Sequence, residues 1–223
     1  MSTFTRFAVI ACAAALAACG GGGGGAEADV PQASAKPAPV CTVSLYGDSI
    51  LWGGYANGGS VVMRLEEPPA AALKRMRPKY EVTDFSLNGD SATVRLPSFL
   101  NDAPPGRIVV LQYGVNDTGM APSAAAYAET LRSMVQRVKA LNKTPVITGL
   151  SRSVIPKRDL FDDTARRVAY EESVVFADWS AAEWFPDTDV DVVGGAHPKQ
   201  AYSLRLVERL AVALDRAAPE CSQ

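Results

Sequence analysis

The sequence predicts an α/β domain: a five-stranded parallel sheet covered by helices on both faces. Three observations predict it. Short apolar runs of strand length recur along the chain. Helical periodicity fills intervals between them, and strand–helix alternation is the signature of a parallel sheet with two covered faces. The chemically distinctive residues fall just past the ends of the runs, where sheets of this kind bind their ligands.

The elements follow in chain order. Residues 1–18 hold a short polar start with one basic residue, Arg6, then the apolar run "FAVIACAAALAA". A run of about a dozen residues suits a signal-peptide core and falls short of the ~20 needed to span a bilayer. It ends in "LAAC", Leu16 to Cys19, which resembles the lipobox of bacterial lipoproteins. That resemblance implies cleavage before Cys19, acyl chains on Cys19, and an exported, lipid-anchored protein. An ordinary secretory signal is the alternative. Gly20 follows the cysteine, where aspartate would resemble an inner-membrane retention signal, so the outer membrane, facing the periplasm, is the expected location. Residues 19–40 read as a flexible Gly/Ala/Pro-rich tether. Residues 41–223 form one domain of a size that supports its own core. A net charge of −2 with no Lys/Arg block argues against a nucleic-acid partner.

Within that domain, "CTVSLYG" (41–47), "YEVTDFSL" (80–87), "RIVVLQYG" (107–114), "TPVITGL" (144–150) and "SVVFADW" (173–179) read as strands. One helix opens at Pro122–Ser123, carries Tyr127, Leu131, Met134, Val135, Val138 and Leu141 on its apolar face, and can end at Asn142. The last helix is expected to begin at Pro198 and to bury Leu204, Val207, Leu210, Ala211 and Leu214. Cys41 and Cys221 bracket the domain. In an oxidising compartment they form a disulfide or remain two free thiols, and the bridge is the expectation.

Chemistry concentrates at the strand ends. Ser49 follows the first strand and needs a base to become a nucleophile. His197 is the only histidine in the chain, and the start of the last helix beside it should keep its ring neutral and able to accept a proton. Asn116, after the third strand, offers an amide donor to a developing oxyanion. Gly89, after the second, lets a substrate approach the backbone, so its N–H is a second candidate donor.

These residues resemble the blocks of the SGNH (GDSL) hydrolases: Gly47-Asp48-Ser49, Gly89, Gly114-Val115-Asn116-Asp117 and His197-Pro198, in order across residues 41–217. The resemblance implies a three-layer α/β/α, flavodoxin-like fold and serine esterase chemistry without a cofactor. It implies Ser49 as nucleophile, His197 as base, and an oxyanion hole made by the Ser49 N–H, the Gly89 N–H and the Asn116 side chain. One position departs from the pattern. The family places an aspartate three residues before the histidine, and here that residue is Gly194. Asp191, six residues before His197, can swing back to orient the ring, with Asp189 the less favoured acid; otherwise a backbone carbonyl orients it and the site is a Ser-His dyad.

Each residue has a plainer role available. Ser49 can serve as a helix N-cap, Ser91 as a turn or cap residue, Asn116 and Asp117 as turn formers. "DTDVD" (187–191) lacks the glycine and glutamate of a calcium loop, and one histidine without a spare cysteine pair argues against zinc, so no metal is expected. Trp52, Tyr55, Trp179 and Trp184 suit core packing or a substrate pocket, and Arg152 suits a solvated surface or an anionic substrate. The resulting expectation is an esterase for small-molecule or glycan acyl or acetyl esters. Its alternatives are an acyltransferase using the same site and a non-catalytic glycan- or lipid-binding lipoprotein.

Overall fold

The computed structural model describes residues 40–56, 62–191 and 195–222. The expected signal segment, the tether up to residue 39, Cys19 and Gly194 lie outside the described residues. Strand β1 (Thr42–Gly47) leads into the single-turn helix α1 (Ser49–Trp52), and an antiparallel hairpin of β2 (Gly54–Ala56) and β3 (Val62–Arg64) follows. The chain continues through α2 (Pro69–Met76), β4 (Glu81–Asp84), α3 (Ala92–Phe99), β5 (Ile108–Gln112), α4 (Asp117–Met120) and α5 (Ala124–Ala140). It ends with β6 (Thr144–Thr148), α6 (Arg158–Glu171), β7 (Val175–Ala177), α7 (Pro186–Asp189) and α8 (Gln200–Ala217).

Five strands pair in parallel in the order β4-β1-β5-β6-β7. Helices α2 and α8 pack together over one face, while α3, α5 and α6 cover the other. This is the three-layer α/β/α arrangement the alternation predicts. The central strand β5 is wholly buried, as an unbroken apolar run requires when both faces are covered. On α5, Tyr127, Leu131, Met134, Val135 and Val138 are buried, and Asn142 adopts a left-handed φ of 56° just after the helix stops. Asparagine tolerates that conformation better than most residues.

Three differences from the sequence reading have physical causes. The strands are shorter than their apolar runs because the chain peels away at the ligand-facing edge. Past β4 the pairing survives as two bonds, Phe85 N–H to the Leu45 carbonyl (2.8 Å) and Leu87 N–H to that of Gly47 (2.9 Å). The last helix starts at Gln200 rather than Pro198, with Lys199 at its N-cap. Pro198 instead bridges Val190, and the Asp191 and Lys199 N–H groups donate to the His197 and Asp189 carbonyls (2.9 and 2.7 Å). Those bonds hold residues 197–199 extended, so the helical turn cannot close around them. The hairpin has no counterpart among the strands read from the sequence, because its strands are only three residues long.

Cys41 and Cys221 are joined by a disulfide, Cα to Cα 5.8 Å, across a sequence separation of 180. Closing so long a loop in the unfolded chain is worth up to about 5 kcal/mol by chain entropy. The Cys41→Ser/Cys221→Ser variant should therefore unfold at a clearly lower urea concentration with an unchanged native circular dichroism spectrum, and equilibrium urea titration measures it.

Candidate active site

The site is assembled at the carboxyl edge of the sheet. β1 ends at Gly47, and Asp48 caps α1 by accepting the Ile50 N–H at 2.8 Å. Asp48, not Ser49, is thus the helix cap, and the Ser49 hydroxyl is free to face elsewhere. It faces His197: Nε2 lies 3.0 Å from Ser49 Oγ, across 148 residues of sequence. Ser49 N–H occupies the first helical position, where no intrahelical acceptor exists.

On the other side of the ring, His197 Nδ1 lies 2.8 Å from Asp191 Oδ2. The Asp191 side chain has no exposed surface, and that of His197 keeps 17%. The backbone carries the acid to the ring. Asp191 N–H donates to the His197 carbonyl, while Asp191 Oδ1 accepts the Ala196 and His197 N–H groups at 3.2 and 3.3 Å. Asp189 points away, accepting from Arg205 at 2.5 Å and from the Phe185 N–H at 2.6 Å.

Asn116 lies after β5, and its Nδ2 donates to the Asp90 carbonyl at 2.6 Å. A primary amide carries two hydrogens, so one remains for another acceptor. The bond it makes ties the Gly89 turn to the Asn116 turn. Gly89 has φ +78°, and the space a Cβ would occupy there is open. That conformation favours glycine. Ser91 caps α3, accepting the Val94 N–H at 3.1 Å.

Three buried carboxylates beneath the site went unrecognised in the sequence. Asp117 accepts the Ala92 and Thr93 N–H groups and the Thr93 hydroxyl at 2.8–3.1 Å, pinning the start of α3 to the turn that bears Asn116. Asp90 is paired to Arg95 at 2.7 Å and accepts from the Tyr113 hydroxyl at 3.3 Å. Among the described residues, no cation pairs with Asp48. Burial pushes its carboxyl up to about 7, and the negative charges of Asp117 and Asp90 add to the rise, partly opposed by the Ile50 N–H. The signal was an aspartate at each strand end, which is costly to bury without a structural reason.

A pH dependence follows for Asp48. Its folded-state pKa lies above the ordinary aspartate value of 3.8. The unfolded chain therefore loses this proton first as pH rises, and stability attributable to Asp48 declines from about pH 4 to about pH 7. The shift corresponds to about 4 kcal/mol. Asp48→Asn keeps an acceptor for Ile50 and removes the titration, so its urea midpoint should gain on wild type between pH 5 and pH 8.

Among the described residues, no group of three or more His, Cys, Asp or Glu is placed to hold a metal ion, and no helix is long and apolar enough to cross a membrane. Trp179 is buried in the core. Trp52 lies under the Arg64 guanidinium, and Tyr55 is half-buried on β2. Arg152 is exposed and donates to the Ser180 carbonyl in a cleft shared with Trp184.

A family model described as GDSL-like lipase/acylhydrolase matches residues 45–202. No curated protein matches the sequence. Among solved structures, a carbohydrate acetylesterase family member from Sinorhizobium meliloti is similar with TM-score 0.64 at 19% identity, covering 80% of this chain and 99% of that one. TesA is similar with TM-score 0.59 at 24% identity, over 79% of this chain and 99% of its own. A catalytic mutant of Axe2, an acetylxylan esterase from Geobacillus stearothermophilus, gives TM-score 0.61 at 17% identity, over 80% and 96%.

Proposed function

The chain belongs to the GDSL-like lipase/acylhydrolase family of ester-hydrolysing enzymes, and we propose that it cleaves acetyl or other acyl esters through a Ser49–His197–Asp191 triad. The observation that carries the proposal is the continuous relay of atoms: Oγ to Nε2 at 3.0 Å and Nδ1 to Oδ2 at 2.8 Å. Both separations lie within proton-transfer reach.

Ser49 Oγ attacks the ester carbonyl while His197 Nε2 takes its proton. Asp191 accepts from Nδ1–H, which leaves the lone pair of Nε2 facing Ser49 and stabilises the imidazolium that forms. The carbonyl oxygen, now anionic, receives the Ser49 N–H, the Gly89 N–H and the second amide hydrogen of Asn116. Collapse of the tetrahedral intermediate breaks the C–O bond, and the imidazolium returns its proton to the departing alcohol. Water, activated by the same imidazole, then releases the acyl group. The acetylesterases among similar structures make small acetyl esters the first class to test. The "LAAC" segment supports export and lipid attachment at Cys19, and a disulfide suits the oxidising compartment this would provide.

The 2.8 Å separation of Asp191 Oδ2 from His197 Nδ1 supports the catalytic reading over a non-catalytic binding protein. Incubating the protein with p-nitrophenyl acetate and, separately, with a fluorophosphonate probe tests the proposal. Steady turnover with stoichiometric labelling of Ser49 is expected. A burst of one equivalent without turnover would assign an acyltransferase, and an unlabelled, inactive protein would assign a binding role.

A further inference from the structure

Asp191 and His197 stand six positions apart in sequence, where the family pattern has three. The Asp191 carboxylate is nonetheless held by four donors. Three belong to the loop itself: the Ala196 and His197 N–H groups on Oδ1 and the His197 ring on Oδ2. The fourth is the backbone N–H of Ala56, 135 residues away in sequence, donating to Oδ2 at 3.1 Å.

The hairpin geometry explains why that N–H is available. β2 and β3 pair as Gly54↔Arg64, Tyr55↔Met63 and Ala56↔Val62, and the Leu65 N–H donates to the Gly53 carbonyl at 2.7 Å. Bonded and non-bonded pairs alternate along an antiparallel ladder. The bonded pairs are therefore 53/65 and 55/63, and Ala56 sits in a non-bonded pair with its N–H directed away from β3. Ala56 is buried, so this bond to a carboxylate is shielded from water. Two residues earlier, the same strand lies on the serine. A Cβ on Gly54 would stand 3.2 Å from the Ser49 carbonyl oxygen, 3.3 Å from Ser49 Cβ and 2.9 Å from Val62 Cγ1. Only a residue without a side chain seats β2 there undisturbed.

We infer that β2 is a positioning element of the active site, with the Ala56 N–H holding the Asp191 carboxylate against His197 and Gly54 seating the same strand on Ser49. The hairpin thereby supplies, from a distant part of the chain, a donor to Asp191 besides those of Ala196 and His197. Ala56 acts through Asp191 and touches no reacting atom. The inference rests on the triad proposed above, and its test separates the two.

Ala56→Pro deletes the N–H without removing a ladder bond, and Ala56→Gly keeps it. The kcat of Ala56→Pro on p-nitrophenyl acetate should fall about tenfold or more with KM within about threefold, while Ala56→Gly follows wild type. In an Asp191→Asn background, Ala56→Pro should lower kcat no further. A wild-type kcat in Ala56→Pro, or an equal effect in both backgrounds, overturns the inference. A wild-type kcat in Asp191→Asn itself overturns the triad instead. Should the proline variant fail to fold, amide hydrogen exchange in Asp191→Ala decides. The Ala56 amide should exchange about tenfold faster or more while that of Tyr55 is unchanged, and equal rates at Ala56 overturn the inference.

Discussion

Replacing Ser49 with alanine should abolish ester turnover, lowering kcat on p-nitrophenyl acetate by about 10⁶, the loss seen when a nucleophile is removed from a catalytic unit. The prediction is clean because the hydroxyl has no second duty. Its one hydrogen bond among the described residues is to His197 Nε2, and the cap of α1 is supplied by Asp48. Stability should therefore be close to wild type. Fluorophosphonate labelling should disappear together with turnover. A variant that keeps more than about one-hundredth of the wild-type rate would mean that another group attacks the ester. Ser91, the other serine preceded by Gly-Asp, is committed as the cap of α3.

Asp191→Asn should cost about 10⁴ in kcat with little change in KM. The carboxylate accepts from Nδ1, two loop N–H groups and the Ala56 N–H. An amide of the same shape cannot accept from all of them. Its NH₂ group, wherever it sits, presents hydrogens to a donor. If it faces Nδ1, the ring proton moves to Nε2, and the imidazole can no longer take a proton from Ser49. If it faces the loop, the backbone turn opens. Steady-state kinetics and the thermal midpoint, measured together, distinguish the two: the first outcome spares stability and the second does not.

Much of this architecture was legible in the residues. The strand count, the parallel sheet and the positions of α5 and α8 came from apolar periodicity, which reports burial directly. Ser49, Gly89, Asn116 and His197 were singled out because residues past strand ends are displayed rather than packed. What escaped had a common cause. The hairpin and the start of α8 depend on hydrogen bonds between segments far apart in sequence. Asp191 was favoured over Asp189, but the order "DTDVDVVGGAH" left a backbone carbonyl open as the orienter. In the fold, Arg205 takes Asp189 and Ala56 takes Asp191. The buried aspartates escaped for a related reason. Asp117 looks like a turn residue until the helix whose N–H groups it satisfies is in place.

The disulfide also fixes where the two ends of the fold lie relative to Ser49. Cys41 stands at one end of β1 and Ser49 just past the other, a strand of six residues or roughly 20 Å away. Cys221 is bonded to Cys41, so residues 41 and 221 are tied together at the rim of the sheet opposite Ser49. Reduction would therefore act on that rim and not on the geometry around Ser49 itself.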